Sequence, residues 1–135
     1  MSTVSYTLLT NQEELNFTGS AVRADAFYGN TDGLHTVSVH FTNFVGRVHI
    51  EGTIVTEPTE ADWFPIYLTS GTSYRQYPVN SASPTGTNGG DTGSEGFTFR
   101  GNLMYIRARV DRSHLPDTEY DSVNHGSINK ILLNV

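Results

Sequence analysis

Phe97-Thr98-Phe99-Arg100-Gly101-Asn102-Leu103-Met104-Tyr105-Ile106-Arg107-Ala108-Arg109-Val110 is the stretch that decides the fold class. Phe97 and Phe99 open one strand, and Met104, Ile106, Ala108 and Val110 alternate with Tyr105, Arg107 and Arg109 in the next. Successive side chains of a strand point to opposite faces, so this period of two predicts a buried face and a wet face. Gly101-Asn102 between the two halves reads as the turn of an antiparallel hairpin.

The same period runs upstream. Val37, Val39 and Phe41 alternate with Ser38, His40 and Thr42, and after Asn43-Phe44-Val45-Gly46 the pattern resumes with Val48, Ile50 and Ile54 opposite Arg47, His49 and Glu51. This pair also reads as a hairpin, with Gly52 marking a bend or bulge. Thr56 to Asp62 interrupts the pattern with room for one helical turn, and the apolar run Trp63 to Leu68 follows. Pro65 lacks a backbone donor and points to an edge or bulge there. Ser70 to Gly96 is rich in Gly, Ser, Thr and Pro and predicts a long surface loop, with a short strand near Tyr74 to Val79. Arg112 to Gly126 is a second polar excursion, and Ile131, Leu133 and Val135 end the chain as a strand docked in a sheet. Nearer the start, Tyr6 to Leu9, Leu15 to Phe17 and Val22 to Tyr28 look extended, although Ala21 to Ala26 also fits a helix. About eight short strands with turn signals between them predict one all-β domain over residues 1–135, an antiparallel β-sandwich of jelly-roll type.

Composition agrees. The 135 residues include 13 Gly, seven Tyr and seven Phe, which favours pleated strands and turns. A chain of this length buries roughly two-thirds of its unfolded surface in one core. With no cysteine, a disulfide framework, a thiolate metal site and a cysteine nucleophile are all excluded. Eight basic against fourteen acidic residues give a formal charge of −6. That charge repels a phosphate backbone unless Arg75, Arg100, Arg107, Arg109 and Arg112 gather on one face, so nucleic acid is not expected as a partner. Met1 to Ser5 lacks the start of a signal peptide, and no segment nears the ~20 apolar residues that span a bilayer, so a soluble product without a membrane partner is expected.

Several constellations bear on chemistry. Asp117, Glu119 and Asp121 have the alternate spacing of a calcium loop, but Ser122 stands where the sharp turn needs Gly and Ile128 where a bidentate Glu belongs. A solvated acidic loop is the favoured reading. His40 and His49, with His35 nearby, would hold a divalent metal only if they shared an outward face. Ser, His and Asp occur without a nucleophile elbow, and Glu57, Glu60 and Asp62 lie close in sequence without a defined separation. No catalytic residue and no cofactor are therefore expected. Trp63, Phe64, Tyr67, Tyr74 and Tyr77 make a candidate aromatic platform for sugar rings, with Tyr74 and Tyr77 as its glycan-stacking pair, although Trp63 reads first as a core residue. Thr85, Asn88 and Asp91 lie in the long polar loop and are the candidate contact residues.

Thr42 to Thr53 followed by Asp62-Trp63-Phe64-Pro65-Ile66, then Phe97 to Val110, then Gly126 to Val135, resembles a pattern in small virion structural proteins of contractile-tailed bacteriophages of marine bacteria. The matched positions are scaffold residues, and the resemblance carries over no active-site residue. It implies a virion component made in the host cytoplasm: a capsid decoration, neck, baseplate or fibre protein that binds other virion proteins and itself as a homo-oligomer. The competing expectation is a carbohydrate-binding module for host surface glycans on the same sandwich.

Overall fold

The computed structural model describes residues 5–12, 16–24, 26, 29, 33–68, 72–77, 91–112 and 126–134. In chain order the strands are β1 (Ser5–Gln12), β2 (Asn16–Thr18), β3 (Val22–Arg23), β4 (Leu34–Phe44), β5 (Gly46–Thr53), β6 (Phe64–Ile66), β7 (Arg75–Tyr77), β8 (Asp91–Arg100), β9 (Tyr105–Asp111) and β10 (Ser127–Asn134). Sheet I has the order β1-β10-β4-β8. Sheet II has the order β2-β9-β5-β6, with β3 also on β9 and β7 also on β5. Every pairing is antiparallel, and the two sheets pack as the expected all-β sandwich.

The inner faces follow from the period of two. Val37, Val39 and Phe41 of β4 meet Val48 and Ile50 of β5 and Ile106, Ala108 and Val110 of β9 in one buried cluster, with Ile128, Ile131 and Leu133 of β10 beside them. Each Val, Ile, Leu or Phe side chain among them contributes about 1.5–3 kcal/mol when removed from water.

Neither predicted hairpin exists. β4 lies in sheet I and β5 in sheet II, and β8 and β9 are divided in the same way. The chain crosses the sandwich at Phe44-Val45-Gly46 and again at Gly101 to Met104. Phe44 and Val45 are fully buried and Leu103 nearly so; at a hairpin tip they would stand in water. The first corner is tight, because a Cβ on Gly46, whose φ is +156°, would stand 2.8 Å from Arg112 Cγ and 2.9 Å from Phe44 Cζ. Gly52 is not a bulge either. It pairs in register with Phe64 and Ile106 and leaves room for Leu103 and Ile66, whose methyls lie 3.1–3.2 Å from where its Cβ would be.

Other expectations fare better. Pro65 sits on β6, the edge of sheet II, where a missing N–H breaks no ladder. The interruption before it contains a 3-10 turn, Glu60–Asp62. Asp62 Oδ2 accepts from Thr59 N at 2.7 Å and Thr59 Oγ1 at 3.0 Å to close that turn. The predicted loop Ser70 to Gly96 is too long at its far end, since Asp91 to Gly96 belongs to β8.

Candidate functional site

Among the described residues the densest set of titratable side chains covers the outer face of sheet II. Arg47, His49 and Glu51 alternate with core residues on β5, as Arg107, Arg109 and Asp111 do on β9, so the same pattern that builds the core turns these outward. Register sets Arg47 opposite Asp111, His49 opposite Arg109 and Glu51 opposite Arg107. The Glu51 carboxylate accepts from Arg107 Nε at 2.8 Å and Arg109 Nε at 3.4 Å. Glu60 grips the other side of Arg107, accepting from Nη1 at 2.9 Å and Nη2 at 3.2 Å. The Arg107 guanidinium also lies 4.3 Å from the Trp63 ring centroid, and that of Arg47 lies 4.6 Å from Tyr74 while its Nε donates to Gln76 Oε1 at 2.9 Å. Planar guanidinium groups suit both contacts.

The electrostatics of the face are internal. Arg107 holds the Glu60 carboxyl below its usual range through its hydrogen bonds and charge, and Glu60 in turn raises Arg107. His49 is pushed below its ordinary value of 6.5 by burial first and by Arg109 second, against the opposing pull of Asp111 and Glu51. Its Nε2 is 3.6 Å from Asp111 Oδ2, too long for a hydrogen bond. The ions of β9 are thus paired across the face, Arg107 with Glu51 and Glu60 and Arg109 with Glu51 and Asp111, whereas Arg47 is held by Gln76 and the Tyr74 ring.

A second polar cluster joins the sheets. Glu95 on β8 accepts from Arg75 Nε at 2.8 Å and Nη2 at 2.7 Å, and from the Tyr77 hydroxyl at 2.7 Å. Arg75 and Tyr77 lie on β7, so this bidentate pair closes one long edge of the sandwich. At the opposite edge, Thr7, Leu8, Leu9, Thr10, Phe17, Gly19 and Ser20 line a cavity of about 220 Å³, with no titratable group among these described residues.

The candidate residues fall as follows. Tyr77 is not a glycan platform residue: it is fully buried, between Phe41 at 4.4 Å and Phe44 at 5.9 Å. Burial and the Glu95 carboxylate push its hydroxyl upward from the ordinary tyrosine value. Tyr74 is half-buried, its ring shared by Arg47 and His49. Trp63 does not plug the core; it lies half-buried beneath Arg107. Phe64 and Tyr67 are exposed. Asp91 is the first residue of β8, opposite Phe44, and not a loop residue. His40, on sheet I, has its Nε2 3.1 Å from Ser38 Oγ, on the far side of the sandwich from His49, and His35 is buried against Phe99 with Nδ1 2.9 Å from Gly33 O. The three histidines therefore share no face, and among the described residues no group of side chains has the arrangement to hold a metal. Thr85, Asn88, Asp117, Glu119 and Asp121 lie outside the described residues.

Sequence reasoning passed over Glu95 and weighed Arg112 only as one of five arginines on a shared face, not as a buried residue. Both carried a signal, since Glu95 continues the inward period of Phe97 and Phe99, and Arg112 that of Ile106, Ala108 and Val110. Arg112 is fully buried, donates from Nη2 to Gly126 O at 2.8 Å and lies 4.7 Å from the Phe44 ring. The five arginines that a nucleic-acid surface would need are thus dispersed: Arg107 and Arg109 on one outer face, Arg75 at an edge, Arg112 in the core and Arg100 on sheet I. Comparison with known proteins found no family model, no curated protein and no solved structure that matches the chain.

Proposed function

We propose that this chain is a non-enzymatic virion structural protein that works by protein-protein assembly, as a capsid decoration, neck, baseplate or fibre component. The observation that carries the reading is the strand order. Taking β2 with β3 and β6 with β7 as single broken strands, β1-β10-β4-β8 against β2-β9-β5-β6 interleaves early and late strands in both sheets, an order that supports a jelly-roll reading. Jelly rolls serve as viral capsid and lectin domains, so fold analogy alone serves both classes. Two side-chain facts favour assembly. Most charges of the polar clusters on sheet II and at the β7–β8 edge are engaged in internal ion pairs, and Leu34, Ile54, Phe64 and Tyr67 stand exposed. The lectin alternative loses Tyr77 to the core and has one face of Tyr74 occupied by Arg47.

Antibody labelling of purified virions from the source phage, read by electron microscopy, tests the proposal. Label at a fixed position on the particle is expected, and its absence from particles overturns the reading. A glycan array run in parallel is expected to be silent; binding that is lost in Tyr74→Ala would put the lectin first.

A further inference from the structure

A β-sandwich with open sheets has four long edges, and three of these are blunted. On sheet II, β2 and β3 run for three and two residues, and β6 on the other side has three residues with Pro65 at its middle. On sheet I, the pairing of β1 shifts register between Thr7 and Leu9, so that Leu8 and Leu9 are both buried and the strand kinks. Short strands, prolines and bulges are the usual devices that stop one sheet adding to another.

β8 has none of them. It is ten residues long, with no Lys and no Pro, and it pairs with β4 without a break from Gly93 to Arg100. The single register shift comes at its Asp91 end, where the extra residue lies in β4. Among the described residues nothing pairs with its far edge. Thr92, Ser94, Gly96 and Thr98 face outward and are exposed, and none is charged. Glu95, which faces inward, is bound to Arg75 and Tyr77, so its charge does not hold an approaching strand away.

We propose that β8 is a self-association edge: two copies of this chain join β8 to β8 in antiparallel register about Gly96, making one continuous sheet from two copies of sheet I. This goes beyond the virion reading and holds independently of it. The occupant is a second copy because the strand complements itself. Apart from Glu95, which is bound to Arg75 and Tyr77, its charged residues are Asp91 at one end and Arg100 at the other, so antiparallel self-pairing brings unlike ends together and parallel pairing like ends. A two-fold axis requires one residue to face its own copy. Centring on Glu95 would oppose two carboxylates, which is unfavourable. Centring on Gly96 opposes two residues without side chains and sets Ser94 across from Thr98 of the second copy, twice. A two-fold contact of this kind is closed and stops at the dimer.

The register makes the test specific. Ser94→Lys combined with Thr98→Lys sets lysine opposite lysine at both symmetric positions, whereas Ser94→Lys with Thr98→Glu sets lysine opposite glutamate. Sedimentation velocity over a concentration series is expected to show a wild-type dimer, at least about tenfold weakening in the double-lysine variant, and a dimer as tight as wild type or tighter in the lysine–glutamate variant. Thermal melts by circular dichroism check that both variants fold, as their exposed positions predict. A wild-type protein that stays monomeric overturns the proposal, and so does a dimer that responds equally to both variants.

Discussion

Glu95 faces inward at the rim of the sandwich, where a carboxylate persists only with its oxygens occupied. Arg75 occupies both and Tyr77 shares one. Arg75's hydrogen bonds hold the carboxyl below its ordinary 4.5 in the folded state. Its stabilising contribution is therefore complete above about 4.5 and is lost as pH falls through the folded value. Glu60 shifts in the same direction, but its side chain is 84% exposed, so solvent screens its share. Denaturant titrations at neutral pH are expected to show Glu95→Ala destabilised by about 1–3 kcal/mol, because the buried Tyr77 hydroxyl loses its acceptor. Glu95→Gln keeps an acceptor and is expected to lose less. On acidification through the carboxylate range the wild type is expected to approach the glutamine variant, and an undiminished gap in acid would show that the carboxylate's charge is not what matters.

At the scale of elements, the corner between β4 and β5 rests on the start of β10. Gly126 has φ +63°, and a Cβ there would run into the carbonyl oxygens of Thr42 and Asn43. Gly126→Ala is expected to lower stability by about 1–3 kcal/mol or more, combining steric clash with a left-handed backbone. Gly101→Ala, whose Cβ meets Leu103 Cγ at an ordinary 3.6 Å, is expected to be near neutral in the same thermal denaturation series. Strand existence was legible in the sequence because a buried face leaves a period of two. Strand pairing was not, because that period names the buried face and not the neighbour. The clue to the crossings was apolar residues at the supposed hairpin tips, Phe44, Val45 and Leu103. The first half of β8 read as loop because an exposed edge strand of Thr, Gly and Ser has the composition of one. On sheet II the outward set Arg47, His49, Glu51, Arg107 and Arg109 was legible by the same alternation. The burial of Tyr77 was not, since a strand of three residues is too short to show a period.

For the whole molecule, the arrangement that matters is the central place of β10. It pairs with β1 on one side, Ser5 opposite Asn134, and with β4 on the other, Asn134 opposite Thr36. Deleting residues 131–135 removes Ile131 and Leu133 from the core and the partner of half of β1, and is expected to abolish the cooperative thermal transition; a truncated chain that still melts cooperatively would show that sheet I can close without it. Such long-range pairing also predicts folding in the millisecond-to-second range typical of all-β domains. A ribosome makes this chain in the order least convenient for it. The strand that fills the middle of sheet I is the last of the ten to emerge, so Leu8, Leu9, Val37 and Val39 wait uncovered through synthesis of the strands between. At about 5–20 residues per second that wait lasts for seconds, time in which uncovered apolar strands can meet other chains before β10 fills the gap between β1 and β4.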